Sequence, residues 1–352
     1  ETIDGIRVVR TYLWAAPNSG SARRMLSFLS FMLSSMLLSP FKVRRPDIVI
    51  ASSPQLLVGL TGWLLSRIKG IPFIFEVRDL WPESMVAVGM KENTAYRALK
   101  AIARFLYCRS DRIVTVGNGY KDDIIQRYGT PESKIQVIPN GIDSAHLENP
   151  PDIPDLRDNR GWKDRIVFMY VGTHGMAHGL TALLDAADIV RDEPRIRIAL
   201  VGDGAEKAAL IEYAARLKLD NVAFIDSQPK DRIFSYYNAC DVGLVMLRDD
   251  PLFKRTLPSK MFEYMGMARP MIVSVGGEAD KLCADADAGI AVPPGDPQAL
   301  ADALRTAAST IDALKQKGLN GQRYALARYS RTALAEDYIR ILNDSISSRA
   351  KG

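Results

Sequence analysis

The sequence predicts an α/β protein built as two doubly wound, parallel-sheet domains. Three observations predict it. Short apolar runs of strand length alternate with helix-like stretches through most of the chain. The alternation breaks once, over the polar, Pro-rich residues 149–159, and then restarts. The chain has 352 residues, 47% hydrophobic and 25% charged, which is the make-up of an ordinary globular protein of one or two domains. A disordered chain, a collagen and a coiled coil are excluded.

In chain order, the first element is the strand-like piece Gly5-Ile-Arg-Val-Val-Arg. Residues 25–41 follow, with eleven apolar residues, five Ser and one Pro among seventeen. Arg23 and Arg24 precede this segment, and Lys42, Arg44 and Arg45 follow it. A membrane-spanning helix needs roughly 20 predominantly apolar residues. This one is short and Ser-rich, so a basic-flanked helix lying on an anionic leaflet fits better. A buried helix of the first domain is the bland alternative. Asp47-Ile-Val-Ile-Ala, Phe73-Ile-Phe-Glu-Val, Arg112-Ile-Val-Thr-Val and Ile135-Gln-Val-Ile read as strands, with helices over 56–68 and 94–109 between them. After a hinge near 148–162, Ile166-Val-Phe-Met-Tyr-Val, Ile196-Arg-Ile-Ala-Leu-Val, Val222-Ala-Phe-Ile, Val242-Gly-Leu-Val-Met and Met271-Ile-Val-Ser-Val repeat the pattern. Leu180, Leu183, Leu184 and Ala187 make one helix face between the first two of these.

The net charge of +5 is mild, and its one clear cluster flanks an apolar segment rather than aromatics, which argues against nucleic acid. Cys108, Cys240 and Cys283 are too far apart for a disulfide framework or a zinc site and suit a reducing compartment. His146, His174 and His178 are the only histidines, and no metal site is expected.

Ligands of doubly wound sheets bind at the carboxyl ends of the strands, so chemistry is sought in those loops. Gly172-Thr-His-Gly-Met-Ala-His-Gly leaves one strand and enters a helix. Its glycines let backbone approach an anion, and His174 and His178 add donors. Val201-Gly-Asp-Gly lacks the third glycine of a dinucleotide fingerprint, Lys207 standing in its place. Phe253-Lys-Arg-Thr-Leu-Pro-Ser-Lys-Met-Phe-Glu gathers Lys254, Arg255 and Lys260 around a helix start capped by Ser259, as a diphosphate requires. Glu263, one turn inside, is placed to accept from ribose hydroxyls. In the first half, Glu76, Arg78, Asp79 and Glu83 crowd one strand end, either as a site or as a structural ion-pair network. Gly117-Asn118-Gly119 closes another strand, and Ile138-Pro-Asn-Gly-Ile-Asp reads as a structural turn.

Taken together, Ile138-Pro-Asn-Gly-Ile-Asp, Val201-Gly-Asp-Gly, Asp241-Val-Gly-Leu and Glu263-Tyr-Met-Gly-Met-Ala-Arg-Pro resemble the retaining family 4 glycosyltransferases of the GT-B fold. Arg78-Asp-Leu-Trp-Pro-Glu and Leu257-Pro-Ser-Lys-Met-Phe-Glu look like the subgroup that assembles bacterial capsule, O-antigen and exopolysaccharide. The resemblance implies two Rossmann-like domains with a cleft between them. An acceptor domain would span 1–158, with the C-terminal helix 331–352 returning to it, and a nucleotide-sugar domain 159–330. It implies retention of configuration, no metal or cofactor, and transfer of a hexosyl or N-acetylhexosaminyl group to a lipid-linked saccharide. The enzyme would sit peripherally at the cytoplasmic face of the membrane, through residues 23–45.

Carried over by position, Gly172, Thr173, His174 and Gly175 face the donor phosphates, with His178, Lys254, Arg255, Ser259 and Lys260 around them, and Glu263 binds the ribose. Asp79, Glu83 and Arg78 are the catalytic candidates, and Asn118 lies on the acceptor side. Three positions depart from the family pattern: Arg255 replaces its first glutamate, Thr173 and His178 its phosphate-clamping Arg and Lys, and Arg78 its histidine. Lys254 or Arg255, with Lys260, would substitute. The family's chains also begin with a first strand and a Gly-rich loop ahead of the piece matching Glu1, which implies an N-terminally truncated chain. A catalytically silent scaffold of a polysaccharide complex is the alternative function, and a nucleotide-sugar 2-epimerase a remoter one.

Overall fold

A computed structural model describes residues 1–15, 21–44, 46–143, 153 and 156–350. Side chains of Ser21, Ala22, Arg24, Asp231 and Ala350 lie outside that description, as do Arg45, His146 and most of the Pro-rich stretch. The chain divides into two units, residues 1–138 with 336–352, and residues 139–335. The division thus falls at 138/139 and 335/336 rather than at 158 and 331. Pro139-Asn-Gly-Ile goes with the second unit, where Ile142 bridges to Ser330.

The first unit opens with a hairpin, β1 (Thr2–Ile3) and β2 (Ile6–Arg7), where one strand was expected. Asp4 and Gly5 both take positive φ, the Asp-Gly turn that suits the twist of a two-residue hairpin. Helix α1 (Ser21–Lys42) follows, then β3 (Val49–Ser52), α2 (Val58–Lys69), β4 (Phe73–Val77), α3 (Glu83–Ala87), α4 (Thr94–Arg109), β5 (Arg112–Thr115), α5 (Asn118–Tyr128) and β6 (Ile135–Val137). The four strands β3 to β6 run parallel in chain order, with no reversal. Phe73, Ile74 and Phe75 are fully buried in the middle of this sheet. Gly62 lets α2 lie against it, since a Cβ there would stand 2.8 Å from the Ala51 Cβ.

The second unit contains α6 (Leu156–Asn159), β7 (Ile166–Val171), α7 (Leu180–Ile189), β8 (Ile196–Val201), α8 (Lys207–Leu217), β9 (Val222–Ile225), α9 (Lys230–Ala239), β10 (Val242–Met246), α10 (Ser259–Gly266), β11 (Met271–Ser274), α11 (Glu278–Asp285), β12 (Gly289–Ala291), α12 (Pro297–Ser309) and α13 (Ile311–Arg328). Its six strands are parallel in the order β12-β11-β10-β7-β8-β9. The order reverses between β7 and β10, which is the switch point where ligands of such sheets bind. Every residue of β7 and β10 is buried, as a strand covered on both faces requires. One face carries Leu183, Leu184 and Leu200 in a core with Leu300 and Leu304 of α12. The last helix, α14 (Arg331–Ala350), starts in the second unit and clusters with the first from Glu336 onward. There Arg349 Nη1 reaches Asp111 Oδ1 at 3.2 Å.

Candidate functional site

The switch point of the second unit is organised by α10. Gly243 in β10 has no side chain, and a Cβ there would stand 2.5 Å from the Tyr264 ring, so α10 lies directly on the sheet. Tyr264 donates its hydroxyl to the Met169 carbonyl at 2.6 Å, pinning the helix to β7. Pro258 is the residue that precedes the first turn, and Ser259 is the first helical residue. Ser259 therefore does not cap the helix: it is exposed, and no side chain caps this end.

With α10 fixed, Lys260 points under the Gly172 loop. Its Nζ lies 3.6 Å from the centre of the Tyr170 ring and would meet a Gly172 Cβ at 3.0 Å. Gly172 takes φ +145°, which L side chains avoid. Lys260 is 8% exposed, and its ammonium donates a hydrogen bond to none of the described residues. Burial pushes its pKa down to about 7, with Glu263 opposing the shift. A lysine side chain buried beside a glycine at a sheet's switch point is placed to bind an anion that approaches the loop.

Glu263, one turn on, is half-buried and accepts the Tyr237 hydroxyl on Oε2. It lines a pocket together with Gly141, Lys230, Ile233, Phe234 and Phe262. The Ile138-Pro-Asn-Gly turn is thus both structural and a pocket wall. Gly141 sits where a Cβ would meet the Tyr329 carbonyl at 2.6 Å.

The Gly172 loop differs from its reading in sequence. His174 is fully buried between Tyr170 and Phe224, and neither ring nitrogen bonds a described residue. It lies inside the loop rather than on its ligand face. Desolvation holds its pKa at about 4, with Lys207 adding to the shift. Desolvation does the same for His178, also about 4, whose Nδ1 lies 3.4 Å from the Met246 carbonyl. Both imidazoles are neutral near pH 7 and bring no charge. Val201-Gly-Asp-Gly holds this loop from behind: a Cβ on Gly202 would stand 1.9 Å from the Gly172 carbonyl, and His174 donates its N–H to Asp203. Thr173 is exposed, and its carbonyl accepts from Tyr170; Gly175 opens the short turn Met176–His178.

Lys254 is exposed and pairs with Asp249 at 2.9 Å, so part of its charge is already answered. Arg255 closes the 3-10 turn Phe253–Arg255, which also holds Lys254, and is half-buried. Arg248, which the sequence did not single out, lies exposed at the end of β10, its Cγ 3.1 Å from a Gly179 Cβ at the start of α7.

In the first unit, Ser53 Oγ accepts from the Arg78 N–H at 3.0 Å and donates to the Asp79 carbonyl at 3.2 Å, shaping the turn after β4. Burial raises the Asp79 pKa, against hydrogen bonds from Ser84 and Trp81. Arg78 lies 3.9 Å from Glu76 and is half-exposed. Glu83 is 5% exposed and takes the Tyr128 hydroxyl at 2.6 Å on Oε1, while Oε2 is enclosed without a partner among the described residues. That geometry makes Glu83 a buried anchor rather than a group open to substrate. Asn118 is exposed at the start of α5. Tyr338 on α14 feels both Glu76 and Arg78 and joins this cluster, which no spacing in the sequence could reveal. Tyr237 and Lys230 were equally missed, although 230, 233, 234 and 237 share one helix face. Among the described residues no group of three or more His, Cys, Asp or Glu could hold a metal.

Residues 1–141 match the family described as "Glycosyl transferase 4-like domain", and residues 165–310 that described as "Glycosyl transferases group 1". The chain is 29% identical over 283 residues to the probable glycosyltransferase WbjE of Pseudomonas aeruginosa, covering 78% of this chain and 68% of that one. It is 26% identical over 297 residues to WcaI of Escherichia coli K12, described as a putative colanic acid biosynthesis glycosyl transferase, covering 81% and 72%. Among solved structures it is similar to Anabaena Alr3699/HepE in complex with UDP-glucose, with a TM-score of 0.73, 20% identity, and 93% and 84% of the two chains covered.

Proposed function

The chain carries the two Rossmann-like domains of a GT-B glycosyltransferase, and from that premise we propose that it transfers a sugar from a nucleoside-diphosphate donor to a lipid-linked saccharide in bacterial surface-polysaccharide synthesis. The observation that carries the reading is α10. One helix presents the buried Lys260 ammonium, which makes no hydrogen bond to the described residues, to the Gly172 loop and the Glu263 carboxylate to the adjoining pocket. The first suits a diphosphate and the second a ribose. The polysaccharide relatives support the setting.

The chemistry breaks the bond from the sugar's C1 to the diphosphate oxygen and forms one from C1 to the acceptor oxygen on the same face. The acceptor's proton passes to the departing phosphate, so configuration is retained and no metal is required. Charge grows on the leaving diphosphate, and fixed cations aimed at it, each contributing a few kcal/mol, form the largest catalytic term. Lys260 serves there, with Arg255 and the exposed Arg248 near the loop ends. In the first unit Asp79, its pKa raised by burial, orients the acceptor hydroxyl or assists its deprotonation. Residues 23–45 rest on the inner face of the cytoplasmic membrane, where a polyprenyl-linked acceptor is found.

Thermal unfolding with UDP, GDP, ADP, CMP and dTDP tests the donor site. One nucleotide is expected to stabilise the wild type and not Glu263→Ala. A ligand at about 100 times its Kd contributes about 2.7 kcal/mol. Absence of any shift would overturn the donor assignment and favour a silent scaffold. Asp79→Asn is expected to lower turnover at least about a hundredfold while leaving nucleotide affinity unchanged; near-normal turnover removes Asp79 from the mechanism.

A further inference from the structure

The pocket beside Glu263 holds chemistry that the ribose does not use. Lys230, Ile233, Phe234 and Tyr237 fall at i, i+3, i+4 and i+7 of α9, one face of the helix, and the first three line the pocket. Tyr237 reaches Glu263 at one end of this face. At the other end, about 10 Å along the axis, stands Lys230. A nucleoside's ribose and base are short enough to lie between the two side chains. Between them, Ile233 and Phe234 offer an apolar wall on which a flat ring can lie. The other charges of the pocket are already matched: Arg331 Nη1 lies 3.5 Å from Asp143 Oδ2. Lys230 makes no ion pair among the described residues and is exposed at the first turn of α9.

Resting on the reading of Glu263 as the ribose ligand, we infer that Lys230 selects the base of the donor nucleotide, favouring one that presents an exocyclic carbonyl oxygen at its far edge. A lysine ammonium has three donors and no acceptor. It satisfies the O4 of uracil or the O6 of guanine. Facing the amino group of cytosine or adenine it sets donor against donor, and a site built for one hydrogen bond rejects the analogue that cannot make it. The family resemblance does not name the base, and the sequence does not distinguish Lys230 from other surface lysines. The pocket distinguishes it.

Isothermal titration of the wild type and Lys230→Met with UDP against CDP, and GDP against ADP, tests this. UDP and CDP differ only in carbonyl against amino at the far edge and in the proton on the neighbouring ring nitrogen; GDP and ADP differ in these and in guanine's 2-amino group. The wild type is expected to bind the carbonyl member of its preferred pair roughly tenfold more tightly or better, as a charged hydrogen bond allows. Lys230→Met is expected to bring that ratio close to one. The substitution lies on an exposed first turn, so an unchanged melting temperature certifies the fold. A wild type that does not discriminate, or a variant that keeps the full ratio, overturns the inference while nucleotide binding itself upholds the donor site. If no nucleotide binds the wild type, the reading of Glu263 fails first, and this inference with it.

Discussion

At the residue scale, Lys260 sets the site's dependence on pH. Its folded pKa, about 7, lies below that of an unfolded lysine, because burial disfavours the ammonium. Between about 7 and about 10.4 the unfolded chain therefore binds more protons, so this group's penalty is full below pH 7 and relieved as pH rises through that window. Nucleotide binding has the opposite slope. A diphosphate stabilises the ammonium, so binding above pH 7 takes up a proton, and affinity should fall by up to about tenfold per pH unit there. Titrations at pH 6, 7, 8 and 9 measure it. Lys260→Met should bind nucleotide weakly with a flat profile and unfold at no lower temperature than wild type at pH 6. A steep profile retained in the variant would assign the titration elsewhere. The histidines do not supply it, since both titrate near 4. Sequence identified Lys260 as a cation near a helix start, but its burial depends on Gly172 and Tyr170, about ninety residues away. The same limit explains His174 and Glu83. Residue type marks them as polar candidates, and only packing shows one sealed inside a loop and the other hydrogen-bonded to Tyr128.

At the element scale, α10 works because a glycine in another element makes room for it. Gly243→Ala would drive a methyl into the Tyr264 ring, and overpacking of this kind costs about 1–3 kcal/mol. Because Tyr264 anchors the helix that carries Lys260 and Glu263, nucleotide affinity should fall along with the melting temperature. Tyr264→Phe keeps the ring and loses the bond to Met169, so it should cost about 1 kcal/mol. If Gly243→Ala melts like wild type and binds nucleotide normally, α10 is not held by that contact. Strands and long helices were legible in the sequence, since the runs Ile166 to Val171, Ile196 to Val201 and Val242 to Met246 carry a clear buried-strand pattern. The three-residue β12 was not, being too short for any period, nor was the two-residue β1, which lies ahead of the run from Gly5 and pairs with β2 through the Asp4-Gly5 turn. The Gly-Asp-Gly after β8 is no dinucleotide fingerprint, although it is one of the motifs that carry the family resemblance. Its glycines serve contact, since Gly202 and Gly204 admit the backbone of Gly172 and His174.

At the scale of the whole molecule, the proposed lipid-linked acceptor makes α1 the element to test in a chain of net charge +5. Helix α1 is long and apolar enough to cross a membrane, by length and composition, over Met25–Lys42. Its inner side is used: Ser35 Oγ meets Thr61 Oγ1 at 3.0 Å, and Phe28 packs edge-on against Trp81. Its outer side carries Leu26, Leu33, Leu37 and Phe41, the last two 70% and 87% exposed. The serines that argued against a span have a different task. Ser30 and Ser34 hydrogen-bond the backbone of Trp14 and Tyr12, laying the exposed Tyr12, Leu13 and Trp14 beside that outer side. Arg23, Lys42 and Arg44 are exposed at its ends. Each basic residue near an anionic leaflet contributes about 1 kcal/mol, so changing all three to Gln should weaken binding to phosphatidylserine vesicles by about a hundredfold at low salt. The loss should shrink at high salt, where screening has already removed the attraction. Phe41→Glu should abolish the binding that remains, without changing the melting temperature, because so exposed a side chain holds little of the fold. Co-sedimentation measures both. Vesicles that do not retain the wild-type chain, or that retain the Phe41→Glu chain equally, would show that this face serves packing rather than the membrane.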